Sequence, residues 1–332
     1  MSDHFAGPQA AARPGVDQRL VLTYDNEAQT DGVGSQLQRI YGTYAISRLL
    51  GVPYVHSPLA SVDYQGLAAL EENESDPGFH HEFNSLFQIE SDVVLTDECF
   101  NLNLRDVSAE MFHQLLAIVD RDETRGRSYL VRLAAPHRIA DRFPDCYEVC
   151  RGISPFASPA RDGRPLRVAV HVRRGELFVV DSDRMLPNAY YIGVAQKLAH
   201  VLEALEIDYE IELSTEVPKG EFVVEPHHHG MSGRVHGPIA VSPEMYRLDE
   251  FSVLPKLVRC INERAIDCIR KLATADVLVM SRSSFSYLGA ILNRNGIVLY
   301  HPFWHSAPSS WVTVDSDGQF DEMQFTESVK AL

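Results

Sequence analysis

Leu166-Arg167-Val168-Ala169-Val170-His171-Val172, followed at once by Arg173-Arg174-Gly175-Glu176, is the stretch that decides how this 332-residue chain reads. A run with so few polar residues reads as a strand covered on both faces, the kind found in parallel sheets flanked by helices. Two arginines and a glycine at its end are poorly suited to a core. They are well suited to gripping a charged ligand at the mouth of a sheet. The alternative stays open that Arg173 and Arg174 are ordinary charges paired with Glu176, Asp181 or Asp183. In either case the side chains sit at a strand mouth, so replacing Arg173 is expected to leave the fold intact.

Outward from this strand the chain alternates. Downstream come a helix over Asn188–Leu205, with Ile192, Ala195, Leu198, Val201, Leu202 and Leu205 on one stripe, and a strand over Tyr209–Leu213. A long loop, Ser214–Glu250, is followed by a helix over Leu257–Leu272, a strand over Asp276–Met280, a helix over Phe285–Leu292 and a strand over Gly296–Tyr300. Upstream, Ser154–Pro165 (SPFASPARDGRP) has the Pro, Ser and Gly density of a linker. Before it, Arg19–Tyr24 reads as a strand, Leu37–Leu50 as a helix stopped by Gly51, and Val52–His56 as a second strand. Val93–Thr96 is expected to be a strand and Ser108–Ile118 a helix, and residues 121–158 are expected to be loosely helical. Residues 1–17, rich in Ala, Pro and Gly, read as a loose leader. The expected fold is α/β in two domains, residues 18–158 and 165–332, the second of them doubly wound.

The net charge of −16 opposes broad binding to nucleic acid or to an anionic membrane, while leaving room for a local basic site. Only five of the 30 cationic residues are lysine, and arginine is the better two-pronged grip for phosphate. The five cysteines are odd in number and scattered, as in a reducing compartment. No apolar run reaches the roughly 18 residues of a membrane span. The start of the chain lacks a signal-peptide pattern, so the expected location is the cytoplasm.

Two further segments carry chemistry. Ser281-Arg282-Ser283-Ser284-Phe285-Ser286 runs from a strand into a helix, where hydroxyl residues cap the helix and its free N–H groups form an anion site. Asp31-Gly32-Val33-Gly34-Ser35-Gln36 is a glycine loop between the first strand and first helix; it lacks the third glycine of a dinucleotide motif but allows close backbone approach to a ligand. His227-His228-His229 with His236 lacks a recognised metal spacing, since three adjacent histidines cannot all face one ion. A place for His228 or His229 beside a bound nucleotide or sugar remains an alternative. Phe303-Trp304-His305 reads as packing rather than sugar stacking.

His171, Arg173, Arg174 and Glu176, with the serine turn downstream and the glycine loop upstream, resemble the GDP-fucose-dependent fucosyltransferase superfamily. That superfamily includes the α-1,2, α-1,6 and protein O-fucosylating enzymes. Its first motif reads H-x-R-R followed shortly by an acid, and about 60 residues in three blocks carry the likeness; the stretch from Val55 to Ser158 carries none. The resemblance implies a GT-B fold of two Rossmann-like halves, with the active site in the cleft between them and GDP-fucose in the C-terminal one. It implies inverting, metal-independent transfer of L-fucose to a glycan or other hydroxyl acceptor, with no cofactor beyond the donor. Arg173 would stabilise the departing GDP, Arg174 would help hold the motif and donor, Ser283, Ser284 and neighbouring amides would bind phosphate oxygens, and Ser281 and Phe285 would belong to the same substrate site. Gly32, Gly34, Ser35 and Gln36 would approach the ligand. His171 is either a ligand contact or a structural group. Asp181 is the first choice for the general base, and Glu27 or Asp31 the alternatives. Arginine and serine do not read the base, so another nucleotide sugar, or a catalytically silent binding relative, are the rival readings.

Overall fold

The computed structural model describes residues 20–332, apart from 28, 30, 96–98, 105–107, 109, 113, 115, 116, 118–127, 158, 161, 229, 230, 232 and 233. The expected leader therefore lies outside the described residues, as does much of the helix expected over Ser108–Ile118.

The N-terminal unit begins with β1 (Leu20–Tyr24), the long helix α1 (Val33–Leu50), and the shorter α2 (Leu67–Glu72) and α3 (Phe79–Leu86). It continues through β2 (Cys99–Leu104), β3 (Ser128–Leu133), α4 (His137–Ala140) and α5 (Glu148–Gly152). Its sheet has the order β1-β3-β2 with both pairs parallel. The central strand thus falls within the stretch expected to be helical. Ser128-Tyr129-Leu130-Val131-Arg132-Leu133 buries Leu130, Val131 and Leu133, a strand pattern easily lost among the flanking charges. Val93–Leu95 is not a strand, and pairing begins instead at Cys99. Val52–His56 is reduced to a single parallel bridge from Tyr54 to Leu22.

The C-terminal unit comprises β4 (Leu166–His171), α6 (Leu177–Val180), α7 (Asn188–Ala204) and β5 (Tyr209–Thr215). There follow the antiparallel hairpin β6 (Phe222–Val224) and β7 (Ile239–Val241), β8 (Leu257–Ile261), α8 (Ala265–Thr274), β9 (Val277–Val279), α9 (Ser284–Leu292), β10 (Ile297–Tyr300), β11 (Val312–Thr313) and α10 (Glu322–Ala331). The expected helix over Leu257–Leu272 is in fact the edge strand β8 followed by α8. Asn262, at φ 57°, stands between them in a left-handed conformation that no helix continues through.

The six-stranded sheet runs β11-β10-β9-β4-β5-β8, all parallel. From β4 the chain winds outward through β5 and β8, then returns to the other side of β4 as β9. The strand order reverses between β4 and β9, and ligands of such sheets bind beyond the strand ends at that reversal. Side-chain alternation along β4 explains its apolar run. Leu166, Val168, Val170 and Val172 enter a core with α7 and α10, while Ala169 enters a second core on the opposite face. That second core also takes Leu37, Ile40 and Tyr41 of α1 and Leu288 and Ile291 of α9, so one apolar cluster joins the two units. Among the described residues no helix is long and apolar enough to cross a membrane.

Candidate active site

A cavity of about 300 Å³ lies between the units, at the carboxyl ends of β1, β4, β5 and β9. Nine of the expected site residues line it: Gly32, Gly34, Ser35, His171, Arg173, Arg174, Ser283, Ser284 and Phe285. The glycine loop reaches it because β1 feeds α1 there, and the serine turn because β9 feeds α9. The two helix starts touch: a Cβ on Gly34 would stand 2.5 Å from Cα of Phe285. Gly32 begins α1 with no side-chain cap, whereas Ser283 Oγ accepts from the Phe285 N–H at 3.2 Å. Two helix amino termini, one from each unit, therefore converge on one cavity wall, and both favour an anion.

Arg173 follows β4 on the face of His171, which directs it into the cavity. Its guanidinium is hydrogen-bonded to both oxygens of Glu176 and lies 3.6 Å from Glu216. It also sits over the Tyr64 ring, 5.2 Å from the centroid, and the Tyr64 hydroxyl donates to Glu216 at 3.0 Å. Burial opposes its charge, but Glu176, Tyr64 and Glu216 outweigh burial and hold its pKa above the ordinary arginine value. Gly175 is required between them. Its φ is 47°, and a Cβ there would come within 2.6 Å of the Tyr64 hydroxyl.

Arg174 turns to the opposite face. It donates to Asn188 Oδ1 at 2.5 Å and to the backbone oxygen of Arg173 at 2.9 Å, and lies over Tyr191. Asn188 in turn donates to Glu250 at 2.9 Å, so Arg174 anchors the motif to α7. His171 is buried, with Nδ1 3.0 Å from Ser281 Oγ and 3.1 Å from Ser286 Oγ. Burial, reinforced by Arg173, pushes its pKa down to about 3, so the ring is neutral at physiological pH. The two serine hydroxyls hold the ring in place through Nδ1, while His171 itself also lines the cavity.

Three expected site residues do not line the cavity. Ser281 is buried behind it on His171. Gln36 is buried and donates to the backbone oxygens of Asp31 (2.7 Å) and Ser61 (2.6 Å), so it shapes the glycine loop from behind. Asp181 sits after α6, 3.9 Å from Arg184 and outside the lining. Of the alternative acids, Asp31 lines the cavity and pairs with Arg39 and Arg234, while Glu27 borders a separate shallow depression. His228 accepts the Glu225 N–H at 2.8 Å within its own turn, and His229 lies outside the described residues.

Sequence reasoning missed several lining residues. Glu216 directly follows β5, and the rule that singled out Arg173 at the end of β4 would have found it; Glu263, two residues past β8, was hidden because that stretch reads as a helix. Tyr64, Arg39, Arg184, Arg234 and Trp304 carried no local signal. Trp304, read as packing, is 43% exposed at the cavity, with Arg184 4.3 Å above its ring. Five arginines face four acids in the lining, a cationic excess within a chain of net charge −16. Among the described residues no cluster of three His, Cys, Asp or Glu side chains is placed to hold a metal ion.

No protein-family model matches the chain, and no curated protein matches it. Solved structures similar to it include E. coli ADP-heptose LPS heptosyltransferase II, at 11% identity and a TM-score of 0.35 over 94% of this chain and 98% of that one. E. coli heptosyltransferase WaaC with ADP-2-deoxy-2-fluoro heptose gives 13% and 0.38 over the same shares. NodZ α-1,6-fucosyltransferase soaked with GDP-fucose gives 10% and 0.34 over 83% of this chain and 93% of that one. At such TM-scores these likenesses transfer no residue role, and the α/β assignment stands on the sheet order described above.

Proposed function

We propose that this chain is a glycosyltransferase that holds the diphosphate of a nucleotide sugar between Arg173 and the facing starts of α1 and α9. One observation carries the reading: two helix amino termini and a partly buried, charged arginine share one cavity, at the point where the strand order of the larger sheet reverses. The reading places the cleft of a GT-B enzyme there, with residues 18–158 on the acceptor side and 165–332 on the donor side. The H-x-R-R and serine motifs favour GDP-fucose as donor and a glycan or other hydroxyl as acceptor. As the bond from the sugar to the diphosphate breaks, negative charge grows on the phosphate oxygen. Arg173, already fixed by Glu176, Glu216 and Tyr64, meets that charge without reorganising, which lowers the barrier more than it strengthens substrate binding. In this scheme a metal ion is dispensable.

The test is thermal unfolding of the whole chain with GDP, UDP and ADP. A nucleotide present at 100 times its Kd stabilises by about 2.7 kcal/mol, or roughly 5 °C in Tm for a chain of this size. GDP is expected to give the largest rise. No rise with any of the three would overturn the reading.

A further inference from the structure

Ser284, the first residue of α9, lines the cavity, and its hydroxyl lies 3.2 Å from Nε2 of His305. The other ring nitrogen, Nδ1, lies 3.3 Å from Oδ2 of Asp141. A hydroxyl, an imidazole and a carboxylate from three distant parts of the chain thus form a line from the cavity wall inward. His305 is buried, and the second oxygen of Asp141 is buried with no hydrogen-bond partner among the described residues. The carboxylate is therefore directed at the imidazole.

The phenol and imidazole rings packed around His305 are uncharged at neutral pH. The Tyr287 ring lies 4.9 Å away, and the Tyr300 hydroxyl donates to the His305 backbone oxygen. Burial raises the pKa of both phenols. The His137 ring lies edge-on at 5.5 Å, pushed down to about 4 by burial and by His305 itself. The Phe303 and Trp304 rings also pack near His305, with Arg184 beyond Trp304.

We propose that Ser284, His305 and Asp141 form a proton relay that opens into the cavity at the Ser284 hydroxyl and takes the proton of the acceptor hydroxyl. The role as base rests on the glycosyl-transfer reading; the relay itself does not. In the transfer, the acceptor oxygen bonds to the sugar carbon as the bond from that carbon to the diphosphate breaks, and the electron pair leaves with the diphosphate. The acceptor proton passes to Ser284 Oγ as the Ser284 proton passes to His305 Nε2. Asp141, accepting from Nδ1–H, fixes the required tautomer and stabilises the imidazolium.

An alkyl fluorophosphonate tests the relay without any donor sugar. Ser284 Oγ bonds to phosphorus, the P–F bond breaks, fluoride leaves, and the serine proton goes to His305. Peptide mass spectrometry of the whole protein is expected to find the label on Ser284. Ser284→Ala should abolish it, while His305→Gln and Asp141→Asn should each slow it by about 100-fold, the scale of general-base assistance. Acid should slow labelling of the parent but not of His305→Gln. Melting curves identify variants that remain folded, and Asp141→Asn serves if His305→Gln does not fold.

No label on Ser284, or labelling indifferent to both folded variants, overturns the relay. GDP-fucose turnover then judges its role: the acidic limb of the pH profile should vanish in His305→Gln with KM little changed. If labelling behaves as expected but that limb persists, the assignment as base is overturned. If the parent turns over no nucleotide sugar while Ser284 labels, the glycosyl-transfer reading fails and the relay stands.

Discussion

Arg173 is held on three sides by Glu176, Glu216 and Tyr64, and this makes its substitutions unequal. Arg173→Ala leaves the buried Glu176 and the partly buried Glu216 without their shared cation, and is expected to lower the unfolding free energy by about 3 kcal/mol, read by chemical denaturation. The expectation that the fold ignores Arg173 therefore does not extend to alanine. Arg173→Lys keeps the charge and should fold. His171 gives a second residue-level prediction. Its folded pKa of about 3 lies below the ordinary value near 6.5, so the unfolded chain binds the extra proton. Its contribution to stability is complete above about pH 6.5 and falls away as pH drops toward 3. His171→Gln should flatten the pH dependence of Tm in that window, while a dependence equal to the parent's would contradict the buried neutral ring.

Among elements, the contact between the starts of α1 and α9 does the most to shape the site, and Gly34 permits it. Gly34→Ala would place a Cβ 2.5 Å from the Phe285 backbone, which can yield only by moving a helix. A loss of about 1–3 kcal/mol in stability is expected, with GDP binding weakened in parallel by calorimetry. Retained stability and affinity would contradict the close approach. These elements were legible in part. The run at 166–172 announced β4, the serine turn announced the start of α9, and the glycine loop the start of α1, because each carries its own local pattern. β3 and β8 were missed because SYLVRL and LVRCI are half-exposed and flanked by polar residues, and only pairing with a neighbouring strand makes them strands. Gln36 reads as a loop-side ligand group in sequence, yet its amide holds the loop from behind, which depends on Ser61, 25 residues away.

In the whole molecule the two units share one apolar cluster, with α1 packed against α9. A fragment spanning Pro165–Leu332 would expose the face carrying Leu288, Ile291 and Leu272. It is expected to be poorly soluble and to bind hydrophobic dyes, while a well-behaved, cooperatively melting fragment would contradict the shared core. This dependence also explains what no motif could show. The cavity joins Asp31 and Tyr64 of one unit to Arg173, Glu216 and Ser284 of the other, and Asp141 meets His305 across 164 residues of chain. The central claim is that Arg173 stabilises charge on a departing nucleoside diphosphate, and GDP release from GDP-fucose by the parent and by Arg173→Lys, compared at equal folded concentration, tests it most directly. The expected result is measurable release by the parent and a loss of at least about 100-fold in the variant, with GDP affinity changed far less. Equal release by a folded Arg173→Lys would contradict the account.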